Sequence, residues 1–223
     1  MIRFENVSRI YRTRRGEVKA LDNVTLHVEA NEFLVVRGPS GSGKTTLLLA
    51  AGAMHRPTSG RVLVKGDDLY AMSPRERAAF RARHIGFVFQ MFHLIPYLTV
   101  LENVMLGGGA VASRARREEA TQMLERLDIQ NRESHKPAEL SAGERQRTAI
   151  ARAMLGRPKL ILADEPTGNL DPENARQVIE RLSEFHRDGV TVVVVTHGAV
   201  ADQHASRIIH LAQGRIAQEA KRG

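Results

Sequence analysis

Eight residues near the start of the chain, Gly38-Pro39-Ser40-Gly41-Ser42-Gly43-Lys44-Thr45, combine three glycines with two serines, a lysine and a threonine. Their spacing fits the pattern G-x-x-x-x-G-K-[ST], in which main-chain amides wrap the phosphates of a nucleotide. Glycine lets the backbone approach oxygen atoms that a Cβ would crowd. Lys44 is expected to reach the β- and γ-phosphates, and the Thr45 hydroxyl to bind Mg²⁺. With Thr46 behind them, these residues are the candidate nucleotide contacts. An ordinary glycine-rich strand-to-helix turn is the bland alternative. Chance alone yields the full pattern in about one chain of this size in a hundred.

A second group of polar residues follows apolar runs. Asp164 and Glu165 come directly after Lys159–Ala163. Carboxylates at the carboxyl end of a buried parallel strand lie where open α/β sheets bind ligands. Asp164 suits the anchoring of Mg²⁺ and Glu165 the activation of an attacking water, although acidic residues before Pro166 also suit a simple turn. His197 follows the β-branched run Val190–Thr196 and is expected at the γ-phosphate. Gln90 closes the run His84–Gln90. Its carboxamide is neutral, a donor and an acceptor at once, and suits contact with Mg²⁺ or the water as well as movement outward.

Ser141-Ala142-Gly143-Glu144 reads first as a capping box opening an amphipathic helix over 145–155. Capping accounts for Ser141 and Glu144. It does not account for Gly143, since glycine in a first helical turn costs about 1 kcal/mol relative to alanine. Something is expected to approach that helix start closely, and a phosphate met by Ser141 and the free amides is the natural candidate. If this start and the glycine-rich loop do not face each other in one chain, a second copy must supply the partner.

The elements that position these groups alternate between strand and helix. Glu32–Val36 reads as a buried strand and 45–54 as the helix after it. An antiparallel N-terminal part is expected at Ile2–Val7 and Ala20–Val28, with Arg61–Val64 following a turn at Pro57 and Gly60. Ser73-Pro74-Arg75-Glu76 opens a helix with a capping box and proline at its first position. Helices are expected over 99–106, 114–127 and 172–187, the last capped by Asp171, with Gly107-Gly108-Gly109 separating the first two. A hairpin is expected to turn at Gln213-Gly214. The 223 residues suit a single domain: a core of 1–88 and 156–223, with a helical subdomain at 89–155.

Apolar content of 42% and charged content of 26% are globular values. No apolar run approaches the roughly 20 residues that span a bilayer, and Met1–Glu5 does not open a signal peptide. The expectation is a soluble chain whose membrane role needs a partner. There is no cysteine, hence no disulfide framework. The net charge is +8, with a tighter group at Arg12, Arg14 and Arg15. Aromatic content is only 4% and no aromatic-interleaved basic patch accompanies the charge, so nucleic acid is not the favoured partner. Anionic headgroups are a better use of the charge.

Taken in order, these blocks make the chain resemble an ABC-transporter nucleotide-binding subunit over nearly its full length. Gly38–Thr45 matches Walker A, Gln90 the Q-loop, Leu140–Glu144 the signature and Leu160–Glu165 Walker B. Gly168–Asp171 matches the D-loop, His197 the switch histidine, and Tyr11 the aromatic that stacks on adenine. The resemblance implies an α/β fold: a P-loop NTPase core with a mostly parallel sheet, an antiparallel N-terminal β part and an inserted helical subdomain. It implies Mg²⁺-dependent ATP hydrolysis with Glu165 as the catalytic glutamate. It also implies a head-to-tail homodimer closing on two ATP molecules, each held between one copy's Walker A and the other's Ser141, Gly143 and Glu144, near Asp171. The usual signature is LSGGQ, so Ala142 and Glu144 depart from it.

Within the family, Phe89–Val104 and Pro166–Asp171 look like the ATPases of lipoprotein-release and macrolide-export systems. Those work with a separate integral membrane subunit, which implies a cytoplasmic protein peripheral on the inner face of the cell membrane. Phe92, Leu94, Ile95, Tyr97 and Leu98 form either subdomain core or a groove for a short helix of that subunit. Three other readings share parts of the pattern. A regulatory ATPase of the cell-division type signals across the membrane. A non-transport ABC ATPase acts on DNA or ribosomes. A P-loop kinase would need neither Ser141–Gly143 nor His197.

Overall fold

The computed structural model describes all residues except Arg15, Gly108, Ala110–Ala112, Arg222 and Gly223. Gly108 of the glycine triplet and Arg15 of the basic group therefore lie outside the described residues. Two sheets form the frame. The first is antiparallel, in the order β2 (Gly16–Val28), β1 (Ile2–Thr13), β4 (Ser59–Val64), β5 (Asp67–Asp68). The second has six strands in the order β10 (Arg215–Lys221), β9 (Arg207–Ala212), β3 (Phe33–Arg37), β8 (Thr191–Thr196), β7 (Leu160–Asp164), β6 (Ile85–Phe89). It is parallel from β9 to β6, with β10 added antiparallel.

The near-continuous apolar runs of β3, β7 and β8 follow from burial on both faces, since successive side chains point to opposite sides. Phe33, Val35, Ile161, Ala163, Val192 and Val194 enter one core with Leu124, Ile150 and Leu182. Leu34, Val36, Leu160, Leu162, Val193 and Val195 enter the other, with Leu48 and residues of the antiparallel sheet such as Phe4 and Val62. The helices supply the covering layers. They are α1 (Lys44–Ala51), α2 (Pro74–His84), α3 (Val100–Met105), α4 (Arg114–Arg126), α5 (Ala142–Met154) and α6 (Pro172–Arg187). Of these, α3, α4 and α5 all fall between β6 and β7.

Register sets the height of the site. Arg37 pairs with Thr196, Asp164 with Val195 and Phe89 with Asp164. The carboxyl ends of β3, β8, β7 and β6 are therefore level. Each is followed directly by a candidate residue or loop.

At the opposite end of the sheet, a buried ion pair ties the C-terminal hairpin to the start of β3. Arg207 Nε lies 2.6 Å from Glu32 Oε1, and the Glu29 amide donates to Glu32 Oε2 at 2.7 Å. Both residues are under a tenth exposed. Arg207 also pairs with Glu219 at 3.1 Å, so removing Glu32 leaves the buried Arg207 charge partly compensated, at a cost of about 2–3 kcal/mol rather than the full penalty of an unpaired buried charge. Glu32→Ala is expected to lower the free energy of urea unfolding by about that amount. A loss below about 1 kcal/mol would show that the pair is screened like a surface one.

Candidate functional site

The loop after β3 and the start of α1 open onto a cleft of about 690 Å³. It is lined by Ser40–Thr46 together with Ala20, Gln90, Glu165 and His197. Gly43 sits at the helix entry with φ 104°, and a Cβ there would stand 2.1 Å from the Ala20 carbonyl oxygen. Only glycine fits. The loop is braced from behind by the hairpin: the Gly214 amide donates to Ser42 O at 3.0 Å, and the Asp22 amide to Gly214 O at 2.9 Å.

The start of α1 differs from that of the other α-helices. Ser73, Thr99, Ser113, Ser141 and Asp171 each cap a helix through a side-chain oxygen, whereas Gly43 offers no side-chain bond. The first amides of α1 are left to an external acceptor, and a helix N-terminus favours an anion. The Ser42 hydroxyl is buried beside them without a hydrogen-bond partner among the described residues. The geometry suits phosphate.

Lys44 is almost fully buried, with Nζ donating to the carbonyls of Gly38 and Pro39 at 2.8 and 3.1 Å. The same ammonium lies 3.8 Å from Glu165 Oε1. Thr45 Oγ1 donates to Asp164 Oδ1 at 3.1 Å. Burial pushes the Asp164 carboxyl above its ordinary value, an effect opposed by the Thr45 bond. No cluster of three histidine or acidic side chains suited to a metal occurs among the described residues. Magnesium does not require one, since it is commonly held by one or two carboxylates plus substrate phosphates. The Thr45 hydroxyl and the Asp164 carboxylate, adjacent and all-oxygen, fit that ion.

Glu165 follows β7 with φ 44°, a left-handed conformation that few non-glycine residues adopt. Its amide is held by Val195 O at 2.9 Å. The twist turns the carboxylate toward β8, where Oε2 accepts from the His197 amide at 3.3 Å and lies 3.0 Å from His197 Nδ1. His197 is 72% exposed, so its other ring nitrogen is accessible from the cleft. Gln90 reaches the same cleft from the end of β6.

Tyr11, Ser141, Gly143, Glu144 and Asp171 do not line this cleft. The Tyr11 hydroxyl lies 3.2 Å from His55 Nδ1, and the Arg9 guanidinium covers the ring at 4.6 Å. Asp171 caps α6, accepting from the amides of Glu173 and Asn174. At the start of α5, the close neighbour that Gly143 requires is inside the chain. A Cβ at Gly143 would stand 2.2 Å from Asn174 Oδ1. The glycine therefore has a close neighbour within the chain, besides the phosphate expected at this helix start. Ser141 still keeps its hydroxyl proton available, because its oxygen accepts from the Glu144 amide at 3.2 Å.

Glu144 closes the capping box on the Ser141 amide at 2.8 Å and accepts from Arg132 Nε at 2.8 Å. The Arg132 bond, then the Ser141 amide, hold its carboxyl down at about 2, from an ordinary 4.5. A carboxyl lowered on folding contributes stability that is complete above the unfolded value and lost as pH falls through the folded one. Between about pH 5 and pH 3, Glu144→Gln should therefore lose stability less steeply than the wild type. Parallel urea midpoints across that window would exclude this role.

Three residues to which the sequence assigns no role of their own also bear on the site. Ala20 forms one cleft wall. Buried Gln146 of α5 donates to Pro166 O at 2.8 Å, joining that helix to the turn after Glu165. Asn169 bonds Gln90.

Fold and cleft together define a P-loop α/β core of the NTPase kind. The family model described as ABC transporter matches residues 21–168. The macrolide export ATP-binding/permease protein MacB of Rhodopirellula baltica is 43% identical over 226 residues, covering 99% of this chain and 33% of its own length. MacB of Escherichia coli is 44% identical over 218 residues, covering 97% of this chain and 34% of its own. YvrO of Bacillus subtilis, an uncharacterised ABC transporter ATP-binding protein, is 41% identical, covering 97% of this chain and 95% of its own. The chain spans about a third of the length of the MacB relatives. Among solved structures, the dimer of the bacterial ABC transporter cassette MJ0796 superposes with a TM-score of 0.93 at 40% identity, over 100% of each chain. A post-hydrolysis dimer of MJ0796 bound to ADP and Pi superposes at 0.92 and 39%, again over 100% of each chain. The chain belongs to the ABC transporter family.

Proposed function

We propose that this chain binds and hydrolyses Mg²⁺-ATP to drive export through an integral membrane subunit. The observation that carries the reading is the convergence of Lys44, Thr45, Gln90, Glu165 and His197 on one cleft, with the uncapped amides of α1 at its floor. The amides of 40–46 surround the β- and γ-phosphates. Lys44 exchanges its carbonyl partners for phosphate oxygens. Thr45, Asp164 and Gln90 would hold Mg²⁺, which when bound neutralises charge on the phosphates. Glu165 takes a proton from water as the water oxygen bonds to the γ-phosphorus in line, and the bond to the β–γ bridging oxygen breaks with its electron pair on ADP. His197 donates to the γ-phosphate. Tyr11 stacks on adenine.

Ser141, Gly143, Glu144 and Asp171 complete the site from a second copy, head to tail. Their placement away from the chain's own cleft and the dimers of MJ0796 support this. We read 89–155 as a helical subdomain inserted in a core of 1–88 and 156–223. Met91 and Tyr97 are 68% and 74% exposed, and Phe92, Leu94, Ile95 and Leu98 are half-buried beside Gln90. This face suits a short helix of the membrane subunit. Among the described residues no helix is long and apolar enough to cross a membrane, so attachment at the inner face of the cell membrane rests on that partner. The names of the MacB relatives favour a hydrophobic, macrolide-like cargo. Lipoprotein release rests on local sequence likeness alone.

The test is direct. Purified chain should bind a fluorescent ATP analogue and release phosphate from ATP in a manner abolished by EDTA. Failure of both would overturn the reading.

A further inference from the structure

Asn169 stands four residues after Glu165, in the turn between β7 and α6, and its side chain is committed to Gln90. Asn169 Oδ1 accepts from Gln90 Nε2 at 3.3 Å. Asn169 Nδ2 donates to the Gln90 carbonyl at 3.1 Å and lies 3.8 Å from Met91 Sδ. Gly168 packs against the same carboxamide, and a Cβ there would stand 2.8 Å from Gln90 Nε2. Three residues along, the chain is held from the other side. Arg152 of α5 donates to the carbonyls of Phe92 and His93 at 2.6 and 2.5 Å. Both residues adopt left-handed φ, 57° and 49°. The segment 90–93 is thus anchored to the catalytic turn at one end and to α5 at the other.

Gln90 lines the cleft and Asn169 does not. We propose that Asn169 is a positioning residue, which sets how far the Gln90 carboxamide extends into the cleft and ties it to the turn carrying Glu165. An asparagine suits this task because its amide nitrogen donates and its amide oxygen accepts, and here both meet the same residue. Displacement of the 90–93 segment then reaches the turn that carries Glu165 through two hydrogen bonds. The proposal rests on the ATPase reading above.

Steady-state kinetics of wild type, Asn169→Ala, Gln90→Ala and the double variant test it. Asn169→Ala should lower kcat by about tenfold with KM within about twofold, because Asn169 touches Gln90 rather than substrate. In the Gln90→Ala background the same change should cost less than about twofold. Gly168→Ala leaves Asn169 in place but displaces the same carboxamide, and should reproduce the kcat-selective loss. Hydrogen exchange of the peptide 89–95 should accelerate in Asn169→Ala, a readout independent of turnover. Equal losses with and without Gln90, or a loss confined to KM, would overturn the proposal, as would exchange unchanged from wild type. A wild-type chain without turnover would instead defeat the ATPase reading, with the exchange measurement still deciding on the clasp.

Discussion

Exchanging Glu165 for glutamine is expected to lower ATP turnover by about 10²–10⁴-fold while leaving ATP binding intact. The substitution keeps an oxygen for the His197 amide, which now donates to Glu165 Oε2 at 3.3 Å. It removes the only property the proposed step needs, the capacity to take a proton from water. Glutamine also leaves the left-handed backbone at φ 44° in place, so the turn should retain its shape. With hydrolysis blocked and binding preserved, the ATP-closed dimer should accumulate. Light scattering should report a doubling of mass at saturating ATP that persists for hours. A variant that stays monomeric under those conditions, or loses less than about tenfold in rate, would remove Glu165 from the role of base.

Lys44→Met should produce the other large loss, by a different route. The ammonium is buried against the carbonyls of Gly38 and Pro39 and lies 3.8 Å from Glu165. Methionine keeps the stem and deletes the charge. Loss of one preorganised donor to the transferring phosphoryl group costs about 10²–10³-fold in kcat. Here the ground-state phosphates use the same donor, so affinity for an ATP analogue should fall as well. The pair of variants separates binding from chemistry: Glu165→Gln binds and does not turn over, whereas Lys44→Met does neither well. A Lys44→Met protein with wild-type affinity would mean that the loop amides alone hold the triphosphate.

Local signals were well represented in the sequence. Ser73 and Pro74 place the start of α2 because the capping box is written in four consecutive residues, and both of its hydrogen bonds form. The bounds of α6 follow from Asp171 and Pro172 at one end and the change of periodicity after Arg187 at the other. The hairpin at Gln213-Gly214 follows from its turn residues. By contrast, β1 runs to Thr13 rather than Val7. Shifts of register between Phe4 and Ile10 break the apolar alternation on which strand reading depends, and the far half is only partly buried.

What remained illegible is contact across distance. Asn169 and Gln90 are 79 residues apart, and no spacing rule joins them. Ala20 lines the cleft through its place at the edge of the first sheet, which its residue type does not advertise. Gly143 was legible as a place of close approach, whereas its neighbour within the chain, Asn174, is a residue of ordinary helix character that no motif marks. Phe92, Leu94, Ile95, Tyr97 and Leu98 could be core or surface by composition, and none of them is fully buried.

The brace behind the glycine-rich loop bears on how the protein can be cut. The family match runs from residue 21 to 168, yet the backbone that props Ser42 comes from Gly214 and the carbonyl that crowds Gly43 comes from Ala20. A fragment trimmed to the matched span would carry Walker A, the signature and Walker B intact while losing His197 and both props. Such a minimal piece should be a poor trap for triphosphate, because the cradle takes its shape from chain segments far from it in sequence.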